Sequence, residues 1–549
     1  MRPSGRVAKK WDAPWRQQSG SGEVPSGRGR AWRWAPWLPW PSDRPAARAQ
    51  DILDAACTPG DKLIVTDYKN YPTNTIGRGH DMAAFVRGKN SAGVDKNYMM
   101  LVWSQDSGKG DGGISFWNWD TPATWSAPTL KRHFPASQLR EAHSTPVTNM
   151  FANGDWRTWV LQATTGFSVY NLDSVANPLL VTTYGITAAA RGGAGSAATC
   201  SGACAGSFNA GTYDYDNGAV WFLALAAPYL YVAQAANGLN VYRFDDPGNP
   251  ATITWVKRYD TSWFKHRVNQ FWVRGNRGFA MAVEGNYGVT VVDLSDPANL
   301  VKLWQYGIAS SPPIRNAYSW TLNGSRLYAA TKPQGTTPSG LAFYDIDPAT
   351  SALTQKKETR GQCSTSAYAA IQDSYAHVGL SLCYQKIKLP ELTKLAPTTE
   401  PYWAIGIQGA DNDFTTPFGN AVFVGNDHHP TPGSMVLCHQ DAQDTTPPAV
   451  DGRNPWAGET GVKITSGVGL SFSDNLKPWT INTTTLPVRV KSTGAVVPGY
   501  YSYQLNTVNF RPAAPFAKGT TYEVAVTSGV KDLAGNGATA STASFTTQN

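Results

Sequence analysis

Histidines and carboxylates stand directly ahead of a series of apolar runs. His80-Asp81 precedes residues 82–86, His143 precedes 147–151, Tyr213 and Asp214 precede 219–223, and His266-Arg267 precedes 268–273. Asn316 precedes 317–322, and Asp411-Asn-Asp413 precedes Phe414. Imidazole and carboxylate groups converging from separate strands are the ligand set of a divalent-metal or small-ligand site, with His80, His143 and His266 as the nitrogen ligands. A plainer reading competes with it: a polar residue recurring at one place in a repeat caps its strand and binds water without any ligand. His428-His429, beside Asp427, forms a further cluster. Adjacent side chains point apart on extended backbone, so a solvated turn is expected there.

Convergence needs a regular frame, and the sequence contains one. The segment Gly288-Val-Thr-Val-Val-Asp-Leu-Ser-Asp-Pro-Ala-Asn-Leu300 returns in degraded form from Gly113, Gly166, Gly238 and Gly340. Successive starts lie 53, 72, 50 and 52 residues apart. A second apolar run precedes each copy, at 97–104, 156–164, 229–236, 278–284 and 326–331, and Gly, Asn, Asp and Pro break the runs as hairpin turns do. Two weaker units, 375–389 and 420–438, bring the count to seven. A period near fifty with strand patterning predicts a β-propeller. The last unit stops near residue 442 without an outermost strand, and Lys62-Leu-Ile-Val-Thr-Asp67 is left over ahead of the first. Pairing those two would close the ring and remove an exposed edge.

The copies from Gly288 and Gly238 resemble the LVIVD-repeat family of bacterial β-propellers, those from Gly166 and Gly340 less closely. The resemblance spans roughly residues 60–442. It implies the fold and hardly any function, because propellers host many activities.

Behind Asp444-Thr-Thr-Pro-Pro-Ala-Val450 the pattern changes to short strands at 470–473, 488–490, 508–510, 522–526 and 544–546, spaced as in a small β-sandwich. Thr445-Thr-Pro-Pro, Phe472-Ser-Asp474, Asn509-Phe-Arg-Pro512, Gly519-Thr-Thr-Tyr522 and Val530-Lys-Asp-Leu-Ala-Gly-Asn536 stand in the order found in bacterial Ig-like domains of surface-layer and adhesion proteins, which this stretch resembles. The resemblance implies a spacer, stalk or attachment module. The Asp474-Asn475 and Asp532–Asn536 turns carry oxygen ligands suited to calcium, although Asp, Asn and Gly also serve simply as turn residues. The expected organisation is all-β: a basic leader or degenerate signal over 1–50, a seven-bladed propeller over 51–443, and a sandwich over 444–549.

Net charge is +8. Residues 1–50 hold ten Lys or Arg against three Asp or Glu, which accounts for +7 and leaves the rest near neutral. That balance argues against a large nucleic-acid surface. The leading segment has a basic start and Ala47-Arg-Ala49 before Gln50, in the order of a secretory signal, although Arg33 and prolines interrupt its centre. No apolar run is long enough to span a membrane. The even set Cys57, Cys200, Cys204, Cys363, Cys383 and Cys438 suits disulfides in an exported chain. Cys200 with Cys204, Cys363 with Cys383, and Cys57 with Cys438 are the expected pairs, the last as a consequence of ring closure.

Catalytic signatures are missing. Ser104-Gln-Asp-Ser-Gly108 copies half of a sialidase-type Asp box, but Asp111 stands where the aromatic should be. There is no G-x-S-x-G, phosphate loop or H-E-x-x-H. The 21 Trp and 24 Tyr would either stack on sugars or fill the space between blades. The expected protein is therefore a monomeric, secreted, periplasmic or cell-surface binding or adhesion module with a surface glycan or protein as partner. The alternatives are a hydrolase or metal-dependent enzyme at the channel mouth, using a channel-bound divalent metal, and a purely structural envelope component; calcium is the cofactor expected at the Ig-like turns.

Overall fold

Runs of β-branched and aromatic residues between Gly, Asn, Asp and Pro turns form antiparallel meanders, in which each strand pairs with the next one along the chain. The computed structural model describes most of residues 220–549, and between Lys62 and Ala197 it describes the strands. Four sheets are plain four-stranded meanders. One runs through His80–Lys89, Asp95–Trp103, Gly113–Asn118 and Thr129–Pro135. Another runs through Phe222–Ala226, Tyr229–Ala233, Leu239–Phe244 and Ile253–Tyr259. The third is Gln270–Arg274, Arg277–Met281, Gly288–Asp293 and Val301–Gly307, and the fourth Ala317–Asn323, Arg326–Thr331, Gly340–Ile346 and Leu353–Arg360. The repeated segment supplies the third strand of each. A β-bulge recurs at one place, between third and fourth strands, at Phe116/Trp117, Val241/Tyr242, Val291/Val292 and Phe343/Tyr344.

First strands of successive meanders lie side by side: Phe222–Ala226 by Gln270–Arg274, then Ala317–Asn323, Ser366–Gln372, Asp411–Phe418 and finally His80–Lys89. Lys62–Val65 pairs antiparallel with Ser434–Cys438, setting Lys62 opposite Leu437 and Val65 opposite Ser434. Stacked sheets bury both faces of the middle strands, so Arg277–Met281 is buried throughout while the outer strand Ile253–Tyr259 is only partly covered. The core between sheets is aromatic. Trp272 Nε1 donates to the Trp320 carbonyl at 3.0 Å, and Trp320 Nε1 to that of Ala282 at 3.0 Å. Among the described residues the one α-helix is the turn Thr261–Phe264, and no helix is long and apolar enough to cross a membrane.

The C-terminal segment folds as a two-sheet sandwich. Val450–Asn454, Val468–Phe472, Thr507–Pro512 and Gly499–Gln504 form one sheet, and Val488–Val490, Thr521–Val526 and Ser541–Thr546 the other. Phe472, Ile481, Val488, Tyr501, Phe510, Val530 and Phe545 fill the space between them. Ala49–Asn549 is one compact unit. Its continuity is literal, because Gly499–Gln504 also pairs with Val147–Ala152 and runs the sandwich sheet into the array, with Tyr501 opposite Phe151 and Gln504 opposite Thr148.

Candidate functional site

Of the polar residues expected to converge, His80, Asp81 and Asp413 lie where first strands begin. His80 opens His80–Lys89, and Asp81 falls on a bulge between His80 and Met82. Asp413 falls on a second bulge, between Asp411 and Phe414. The side chains of His80, Asp81 and Asp413, like His143, Tyr213, Asp214, Asn316, His428 and His429, lie outside the described residues. So do Cys57, Cys200, Cys204, Cys363 and the side chain of Cys383.

His266 is described, and its environment is structural. The ring is buried; Nδ1 donates to the Arg267 carbonyl at 2.6 Å, and Nε2 lies 2.8 Å from the Thr290 hydroxyl, from which it accepts. With Nδ1 protonated and the Nε2 lone pair accepting from Thr290, no ring nitrogen is free for a metal. Burial, the dominant cause, lowers its pKa from 6.5 to about 4, so the ring is neutral. Gly288 lies against this ring: a Cβ there would sit 2.5 Å from His266 Cδ2. The repeat glycine and the strand-start histidine are thus two halves of one packing contact. Arg267 beside it is half-buried. Among the described residues every Trp, Tyr and Phe is buried or partly buried.

The densest polar chemistry lies at the opposite end of the first strands, where their hairpin turns meet the sandwich. Gln504 clasps one strand through its backbone: its Oε1 accepts from Leu225 N at 2.8 Å, and its Nε2 donates to the Leu223 carbonyl at 2.9 Å. Ser502 Oγ accepts from Ala227 N at 3.0 Å. Asn509 Oδ1 accepts from Gly275 N at 2.7 Å. Arg274, fully buried, donates through Nε to Asn454 Oδ1 at 2.7 Å and through Nη1 to the Gly324 carbonyl. Burial first and Arg277 second lower the Arg274 pKa to about 9. Arg277 itself pairs with Glu459 at 3.1 Å, both side chains nearly buried. The backbones touch where Gly469 meets Gly275, and a Cβ on Gly469 would lie 2.0 Å from Gly275 N.

At the rim of this junction four carboxylates gather. Asp373 occupies the turn between Ser366–Gln372 and Tyr375–Leu380, at φ +53°, a left-handed position that Asp tolerates better than most residues. Asp444 opens the connection to the sandwich, and Asp474 follows Val468–Phe472. One oxygen from each of these three lies within 4.8 Å of the others. Asp532 is fully buried; Oδ1 accepts from Gly535 N at 2.6 Å and Asn536 N at 2.7 Å, while Oδ2 has no hydrogen-bond partner. Asn536 Nδ2 in turn donates to the Asp444 carbonyl at 3.0 Å. Burial, and next the Asp444 charge, push Asp373 up to about 7. Burial and then Asp373 hold Asp474 well above the usual carboxylate range, and burial raises Asp532. An all-oxygen donor set of this kind suits a hard cation.

The sequence points to the Asp474-Asn475 and Asp532–Asn536 turns, and the structure brings them together. Asp373 and Asp444 carry no local signal of a shared site, since one is a hairpin turn residue and the other opens the connection. No curated protein matches this chain. Among solved structures, a candidate 6-phosphogluconolactonase from Bacteroides uniformis is 13% identical over 56% of this chain and 82% of its own, with a TM-score of 0.37. The extracellular domain of a candidate one-component system from B. thetaiotaomicron is 10% identical over 86% of this chain and 56% of its own, at 0.38. A computationally designed protein is 11% identical over 80% and 98%, at 0.36. Scores this low carry no argument about activity. Residues 444–547, the span of the sandwich, match the bacterial Ig-like domain family.

Proposed function

We propose that this is an extracellular or cell-surface bacterial binding protein whose propeller, read as seven LVIVD-like blades over 51–443, presents a ligand or partner surface while the Ig-like domain of 444–549 holds it in a fixed orientation. The observation that carries the reading is the docking of the Ig-like domain onto one end of the first strands through buried, directed polar contacts. A flexible stalk would need none of these. Occupation of that end leaves the strand-start end, with His80, Asp81 and Asp413, as the surface for a glycan or protein partner. Bacterial Ig-like domains occur in surface proteins, which is consistent with an exported chain.

The test is retention of the purified full-length chain on cell-envelope fractions and a glycan array, beside a His80→Ala/Asp81→Ala/Asp413→Ala variant. Saturable binding that drops tenfold or more in a variant of unchanged melting temperature is expected. No retention of the parent chain on any envelope or glycan surface would sink the reading.

A further inference from the structure

We infer that Asp373, Asp444 and Asp474, with Asp532 next to them, form a calcium site that clamps the Ig-like domain to the propeller. The inference is independent of what the propeller binds. Three observations carry it. First, calcium–oxygen distances near 2.4 Å place any two ligand oxygens on one ion no more than about 4.8 Å apart, which the oxygens of Asp373, Asp444 and Asp474 satisfy mutually. Second, Asp532 stands outside that 4.8 Å set but acts electrostatically on Asp373 and Asp474, and it is fully buried with Oδ2 unpaired. Its Oδ1 is already tied to its own loop by two amides, so Oδ2 is the oxygen left over, and Asp532 in turn feels the charge of Asp444. Third, Gln372, which precedes Asp373 and is itself buried, carries another oxygen, Oε1, without a partner, although its Nε2 donates to the Gly419 carbonyl at 2.8 Å.

Carboxylates this close repel one another unless something positive stands among them. Lys386 is the cation acting on Asp373, and it lies over the Tyr375 ring, 3.9 Å from its centroid. The single charge of that ammonium does not by itself balance the grouped carboxylates. A divalent ion with six to eight oxygen ligands and loose angular demands does, and the set contains no nitrogen or sulfur donor that would favour a transition metal. Because Asp373 belongs to the propeller and Asp474 and Asp532 to the Ig-like domain, the ion would bridge parts of the chain that no local turn connects. That distinguishes it from an ordinary loop calcium site.

The experiment uses the full-length chain, stripped with chelator and titrated with calcium or magnesium chloride. It reads bound metal by equilibrium dialysis, melting temperature, and protease cleavage within residues 439–449. One calcium per chain is expected, with a melting rise of roughly 2–5 °C at about 5 mM calcium and slower cleavage of the connection. Asp373→Asn and Asp474→Asn should each remove all three responses, whereas Asp347→Asn, an exposed turn residue outside the cluster, should keep them. Absence of stoichiometric calcium on the parent chain overturns the proposal even if a variant fails to fold, and an equal response to magnesium overturns the calcium assignment. Loss of envelope binding with the calcium response intact would count against the functional reading alone.

Discussion

His266 shows how a residue suited to chemistry becomes part of the packing. Its ring is held neutral by burial, and its pKa falls from 6.5 to about 4. A base whose folded pKa is depressed favours folding fully above its unfolded value and loses that contribution as pH drops through the folded one. Stability from this group should therefore be complete above pH 6.5 and decline towards pH 4, by about 3 kcal/mol. Urea midpoints between pH 7 and 4 measure it, and a His266→Leu variant should show a shallower decline. Gly288→Ala tests the same contact from the other side. A Cβ 2.5 Å from the ring should cost about 1–3 kcal/mol, seen as a lower melting temperature; an unchanged melt would mean the ring moves freely aside.

Among elements, the strand Gly499–Gln504 matters most, since it belongs to the sandwich sheet and also pairs with Val147–Ala152. The contacts beside it are the expensive kind to break. Glu459→Ala leaves Arg277 buried without its partner and should cost about 3–5 kcal/mol. Gln504→Ala leaves the Leu225 amide and Leu223 carbonyl unpaired and should cost about 1–3 kcal/mol. Denaturant unfolding monitored by Trp fluorescence checks both. If either variant unfolds like the parent chain, the docking seen here does not contribute to stability in solution.

For the molecule as a whole, closure and docking act together. Lys62–Val65 completes the sheet that ends at Ser434–Cys438, where Cys438 is fully buried, and Cys57 lies five residues ahead of Lys62. A Cys57–Cys438 disulfide is therefore expected in exported protein, and peptide mapping without reductant would find it or show both thiols alkylated. Ending the chain after residue 443 should also fail, because it uncovers Arg274, Arg277 and the amides of Leu225 and Ala227. Aggregation, or a melt lowered by many degrees, is the expected result of that truncation.

Much of the frame was legible because it is local. Alternation and turn chemistry place strands such as Arg326–Thr331 and Tyr229–Ala233 nearly residue by residue. The same spacing locates the two Ig-like turns that bear Asp474 and Asp532. Gly499–Gln504 is not among the strands expected from the pattern, although Tyr500, Tyr501 and Tyr503 supply the aromatic content a strand favours. Its pairing with Val147–Ala152 has no local trace. Nor could spacing alone show that His266 is spent on Arg267 and Thr290, or that Asp373 meets Asp474. The sequence by itself determined the meanders, their turns and the change to a sandwich at Asp444, because strand and turn preferences act over a few residues. Which sheet edge accepts Tyr501, and which carboxylates share a site, was decided by the tertiary structure, because residues a hundred or more apart meet only through packing of completed sheets.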